Sequence, residues 1–151
     1  MNQVDVVELD APVDILPLAE IAEAPRKLRV LLVEDDDGDA FLISLALSGN
    51  EAVNSILRAR DGVQAMDMID NCVVMPDLAI IDLHMPRKNG FDLLLNLSFR
   101  NKADFPCAVL TSSTVREDEV RSRLRGADFF VTKPKNMADL EAALAGLIRR
   151  I

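Results

Sequence analysis

Four largely apolar runs in this 151-residue chain stop at a side chain capable of chemistry and then turn. Residues 28–33 run into Glu34-Asp35-Asp36-Asp37. Residues 78–81 run into Asp82, residues 107–110 into Thr111-Ser112, and residues 128–132 into Lys133-Pro134. Three carboxylates gathered in one place repel one another and require a compensating cation. An all-oxygen donor set suits a hard divalent ion, and Mg²⁺ (or Mn²⁺ in its place) suits best where phosphate is also bound. A carboxylate in such a setting can attack phosphorus and form an aspartyl phosphate. Lys133 would neutralise the transferring group, and the Thr111 hydroxyl would hydrogen-bond one of its oxygens. Each piece has an ordinary reading beside this one. Asp82 can simply start a turn, Glu34–Asp37 can be a solvated turn and helix cap, Thr111 a β-branched strand residue, and Lys133 a surface lysine.

What decides between the readings is whether the four places share one edge of a sheet. The chain alternates short aliphatic segments with amphipathic ones. Strands are predicted over 28–33, 55–59, 78–82, 107–111 and 128–132. Helices are predicted from Asp37-Gly38 to about Ser48, from Gly62 to about Asp70, from Gly90 to about 100, over 115–125, and from an Asn136 cap onward. The third helix should bury Phe91, Leu94, Leu95 and Leu97. The last should bury one face of Met137, Leu140, Leu144, Leu147, Ile148 and Ile151. Five strand–helix units with short connections imply right-handed crossovers and a doubly wound parallel α/β sheet. The carboxyl ends of all its strands then lie on one edge, where ligands bind in open α/β sheets.

Composition narrows the function classes. The net charge of −8 is uneven, because residues 1–25 hold six acids and no base, leaving 19 acids against 17 bases in the rest. Residues 1–27 read as a flexible acidic leader and 28–151 as one domain. The first stretch is nonetheless richer in Val, Leu and Ile than a spacer needs. No basic nucleic-acid footprint is present, since Arg116, Arg121, Arg123 and Arg125 alternate with acids. No run approaches a membrane span and no secretion signal is visible, which predicts a cytoplasmic protein. Cys72 and Cys107 match no metal or redox spacing. No glycine-rich nucleotide loop occurs, so the phosphoryl donor must be another phosphorylated molecule.

In order, Val-Glu-Asp-Asp (33–36), Asp-Leu-His-Met-Pro-Arg-Lys-Asn-Gly (82–90), Leu-Thr-Ser-Ser (110–113), Gly-Ala-Asp (126–128) and Thr-Lys-Pro (132–134) resemble the receiver domain of two-component response regulators. The resemblance covers about residues 28–151 and implies a flavodoxin-like (βα)5 fold with strand order 2-1-3-4-5. It also implies the roles. Asp82 matches the phospho-acceptor, charged by a phosphohistidine of a sensor histidine kinase or histidine phosphotransferase. Glu34 and Asp35 match the acidic pair that holds Mg²⁺, with a main-chain carbonyl from position 84. Thr111 and Lys133 match the switch hydroxyl and the phosphate-binding lysine, and Phe130 the switch aromatic. Asp36 is a third acid, and whether it shares the metal stays open. His84 and Ser113 stand where this family flanks the path of the attacking water, so they are expected to set the phosphoryl lifetime. The chain ends with the fifth helix, which leads to the expectation of a stand-alone receiver working in a phosphorelay by binding a partner or dimerising through residues 115–151. The phrase Val-Glu-Asp-Asp-Asp-Gly-Asp-Ala also resembles single-domain regulators paired with phytochrome-type sensors.

Two other readings compete. A metal-dependent phosphohydrolase with an Asp nucleophile usually carries a second acid two residues on, where this chain has His84. A phosphorylation-independent interaction module would have no need of all five site side chains. The resemblance therefore implies a protein that is no enzyme beyond its own phosphorylation and dephosphorylation.

Overall fold

The computed structural model describes residues 25–99 and 104–151. Most of the expected leader, residues 1–24, lies outside them. Among the described residues the order is β1 (Leu28–Val33), α1 (Asp37–Ser48), β2 (Val53–Ala59), α2 (Gly62–Asp70), β3 (Leu78–Ile81), α3 (Gly90–Phe99), β4 (Cys107–Thr111), α4 (Arg116–Leu124), β5 (Phe129–Thr132) and α5 (Met137–Ile148). The strands form one parallel sheet in the order β2-β1-β3-β4-β5. The doubly wound fold and its strand order are those expected.

The sheet's centre follows from composition. Every residue of β3 and β4 is buried, as unbroken aliphatic runs require when helices cover both faces. One layer packs α2, α3 and the inner side of Phe130 around Leu31, Val33, Ile81 and Val109. The other packs α1 and α5 around Val30, Leu32, Ile80 and Leu110. Each fully buried leucine or isoleucine contributes roughly 1.5–3 kcal/mol, so this aliphatic interior compensates for the absence of Trp and Tyr.

Three details differ from expectation. β2 starts at Val53, because the Leu28 amide donates to the Ala52 carbonyl (2.7 Å) and the edge strand tolerates exposed Asn54 and Ser55. On α3 the buried stripe is Phe91, Leu93, Leu94 and Leu97, while Leu95 is half-buried. Positions 90, 93, 94 and 97 follow the helical repeat, and 95 falls beside it. On α5, Leu140, Leu144, Leu147 and Ile148 are buried, but Ile151 lies past the helix end and is exposed.

Capping sets where α1, α2 and α5 begin. Asp36, Asp61 and Asn136 each accept the amide three residues on, at 2.7, 2.8 and 2.9 Å. No helix among the described residues is long and apolar enough to cross a membrane.

Candidate functional site

The β3–α3 loop is pinned so that Asp82 has one position. A Cβ on Gly90 would overlap the main-chain oxygen of Asp82 and come within 2.8 Å of Leu83 Cα, so only glycine fits there. The Gly90 amide closes the loop on the Leu83 carbonyl (3.0 Å), and the Gly62 amide donates to the Lys88 carbonyl (3.0 Å). Arg87 adopts a left-handed backbone (φ 60°), and its Nε donates to Asp61 Oδ2 at 2.7 Å. Asp61 thus caps α2 and holds the neighbouring loop at once. Burial alone would raise its pKa, but the Gln64 amide and the Arg87 guanidinium outweigh that and hold it below the usual carboxylate range.

Asp82 itself is buried, and the Leu83 amide donates to its Oδ1 at 2.8 Å. Glu34, 1% exposed, comes from the end of β1 beside it and accepts the Asp36 amide at 3.1 Å. Ligand oxygens of Glu34, Asp35 and Asp82 lie within 4.8 Å of one another. Lys133 reaches this cluster from the end of β5. Its Nζ lies 2.7 Å from Glu34 Oε2, 2.7 Å from Asp39 Oδ2 and 3.6 Å from Asp82 Oδ2. Burial and the charge on Asp82 push the Glu34 carboxyl above its usual value, despite the Lys133 hydrogen bond. Burial works against the ammonium of Lys133, but its hydrogen bonds to Asp39 and Glu34 prevail and its pKa is raised, so it stays charged.

Asp36 is spent on capping α1 and stands outside the cluster. Thr111 is fully buried, with its Oγ1 accepting the Ser113 amide at 3.3 Å. The Lys133 amide donates to the Thr111 carbonyl (2.7 Å), which ties the two strand ends together. Phe130 pairs in register with Val109, two residues before Thr111, so Phe130, Val109 and Thr111 share one sheet face. It is half-buried and lines surface cavities of about 600 and 660 Å³ against α5 and α4. His84 is exposed, and its imidazole is not among the clustered ligand groups. Nε2 lies 3.4 Å from Asp118 Oδ2.

The structure therefore brings Glu34, Asp35, Asp82 and Lys133 together, with Thr111 at the adjoining strand end. It turns His84 and Ser113 toward α4. Sequence reasoning missed Arg58. This residue of β2 donates to the carbonyls of Glu34 (3.0 Å) and Asp35 (3.1 Å) and to the Asp37 carboxylate (2.7 Å), clamping the acidic loop. It missed Asp39 and Asp118 as well. A basic residue near the end of the strand beside β1 is the signal that could have found Arg58.

Three hard oxygen donors beside a lysine fit a divalent cation and offer no soft ligand for zinc or copper. The same arrangement suits an anionic group held between that cation and the ammonium.

Comparison with known proteins agrees with this chemistry. The response regulator receiver domain family matches residues 30–145. CpxR, a transcriptional regulatory protein of Escherichia coli K12, is 36% identical over 122 residues, which cover 81% of this chain and 50% of CpxR. YrkP of Bacillus subtilis, described as an uncharacterized transcriptional regulatory protein, is 32% identical over 124 residues, 81% of this chain and 50% of its own. This chain thus spans about half the length of these curated relatives. Among solved structures, the phosphorylated cyanobacterial phytochrome response regulator RcpA is similar at TM-score 0.73 and 28% identity, covering 80% of this chain and 91% of RcpA. The Mn²⁺-bound form of the response regulator Rcp1 follows at TM-score 0.71 and 27% identity, with coverage of 80% and 91%.

Proposed function

This chain belongs to the response regulator receiver family of two-component signalling, and from that premise we propose that Asp82 accepts a phosphoryl group from a phosphohistidine of a sensor histidine kinase or histidine phosphotransferase. The observation that carries the proposal is the meeting of three strand-end carboxylates within 4.8 Å, with the Lys133 ammonium set among them.

In the transfer, an Asp82 oxygen forms the new P–O bond as the P–N bond of the donor breaks. Lys133 leaves the carboxylates it now neutralises and holds a phosphoryl oxygen, so its charge is already in place when negative charge is redistributed. The Thr111 hydroxyl donates its proton to a phosphoryl oxygen, and Phe130 turns inward on the face the two share. Glu34, Asp35 and Asp82, with the main-chain carbonyl of position 84, would hold Mg²⁺ or Mn²⁺, which supplies charge neutralisation at the phosphoryl oxygens when bound. The chain catalyses only its own phosphorylation and dephosphorylation. Its output, in the cytoplasm, is partner binding or pairing of two copies through residues 115–151. The exposed Val115, Val120 and Leu124 of that region support this, as exposed Phe41, Leu42 and Leu45 on α1 support kinase docking there.

The test is to incubate the protein with Mg²⁺ and acetyl phosphate and locate label by peptide mass spectrometry. A single acid-stable, base-labile phosphate on Asp82, absent in Asp82→Asn, is expected. Continuous turnover of the phosphodonor with no labelled chain would favour a phosphohydrolase instead.

A further inference from the structure

Asp118, on α4, is in contact with both side chains that stand two residues beyond reactive ones. Its Oδ2 accepts the Ser113 hydroxyl at 2.6 Å and lies 3.4 Å from His84 Nε2. His84 follows Asp82 by two positions, and Ser113 follows Thr111 by two. β3 and β4 are neighbours in the sheet, so these two loops stand side by side over the site. The Ser113 oxygen also accepts the Val115 amide at 3.2 Å. The donor proton of Ser113 and one of its lone pairs are therefore engaged away from Asp82, and His84 Nε2 faces the same carboxylate. The Asp118 side chain is only 20% exposed, and its carbonyl accepts the Ser122 hydroxyl at 2.6 Å, which seats this turn of α4 on a buried serine.

We propose that Asp118 is a positioning residue for loss of the phosphoryl group. It withholds Ser113 and His84 from a water approaching phospho-Asp82, and so lengthens the life of the phosphorylated state. Hydrolysis is an attack by water on phosphorus that breaks the P–O bond to Asp82 and yields inorganic phosphate. A hydroxyl or imidazole free to hold that water would speed it. This inference rests on the reading of Asp82 as phospho-acceptor.

The test loads wild type, Asp118→Ala, the isosteric Asp118→Asn, the double variant His84→Ala/Ser113→Ala, and that double variant with Asp118→Ala added. All are charged with acetyl phosphate and Mg²⁺, freed of donor, and followed by decay of label on Asp82. Asp118→Ala should shorten the half-life roughly fivefold, the scale of one hydrogen bond such as that from Ser113. Asp118→Asn should shorten it less, and the effect should vanish where residues 84 and 113 are already alanine. The last outcome separates positioning from general loosening of α4, which would act in either background. An unchanged or longer half-life in both Asp118 variants, or equal shortening in the double-alanine background, overturns the inference alone. Failure of wild type to take label overturns the receiver chemistry with it.

Discussion

The two edges of the sheet use the same residue type to opposite ends. At the amino edge, Asp77 accepts the Arg29 amide at 2.8 Å and the Arg29 guanidinium at 3.0 Å, and pairs with Arg26 at 3.0 Å. Asp128 accepts the Cys107 amide at 2.8 Å. Each of these acids joins the start of its own strand to that of a neighbour. At the carboxyl edge, Glu34, Asp35 and Asp82 crowd together, with Lys133 bonded to Glu34 and within 3.6 Å of Asp82. The hydrogen bond from Arg29 holds the Asp77 carboxyl below its usual value, whereas burial holds Glu34 above its own. At one edge Asp77 stabilises the fold; at the other Glu34 is held at some cost to it, and such a perturbed carboxyl beside a charge partner is what a reactive site shows and a structural ion pair does not.

The contrast can be tested by substitution. Gly90→Val challenges it most, because Gly90 is a purely structural residue at the reactive edge. Its side chain would collide with main-chain atoms of Asp82 and Leu83. A loss of roughly 3 kcal/mol or more, read by urea denaturation, is expected from such overpacking. A near-neutral result would mean the loop bends freely and does not hold Asp82. Asp77→Ala should cost roughly 2 kcal/mol by the same measurement, since the Arg29 amide and guanidinium lose their acceptor, yet leave Asp82 labelling intact.

The pH dependence sharpens the same point. A depressed folded-state pKa gives Asp77 a stabilising contribution that is complete above its unfolded pKa and lost as pH falls through its folded value. The stability gap between wild type and Asp77→Asn should therefore close in acid. Glu34 has the opposite sign. Its folded-state pKa is raised, so the native chain binds that proton more tightly than the unfolded one, and its contribution declines as pH rises through the carboxylate range. The smallest effect belongs to Asp82→Asn. The amide oxygen keeps the Leu83 hydrogen bond while one repelling charge is removed. Denaturation should shift by about 0.5 kcal/mol or less, although labelling is abolished.

Which of these residues could be read in advance follows from how far each interaction reaches along the chain. Asp82, Glu34, Asp35, Thr111 and Lys133 end largely apolar runs, so a local pattern exposes them and parallel topology alone gathers them at one edge. Asp36 reads locally too, as a helix cap, and that use keeps it out of the cluster. Arg58, Asp39 and Asp118 resist such reading because their partners lie on other elements. Arg58 meets Glu34 only because β2 lies against β1, and Asp118 meets His84 only once α4 is packed. The misassignment of Leu95 for Leu93 has a smaller cause. In Leu93-Leu94-Leu95 every position is leucine, so composition carries no phase, and the neighbours Phe91 and Leu97 must supply it.

The two cysteines differ in a way that serves experiment. Burial pushes the Cys107 thiol up to about 12, so at neutral pH it carries almost no thiolate. Cys72 is exposed in the turn that leads from α2 toward β3, at the amino edge. Among the described residues a maleimide dye should therefore attach at a single place in the unaltered chain. It would stand at the opposite end of the sheet from Asp82, where a fluorophore can report tumbling or pairing without touching the chemistry.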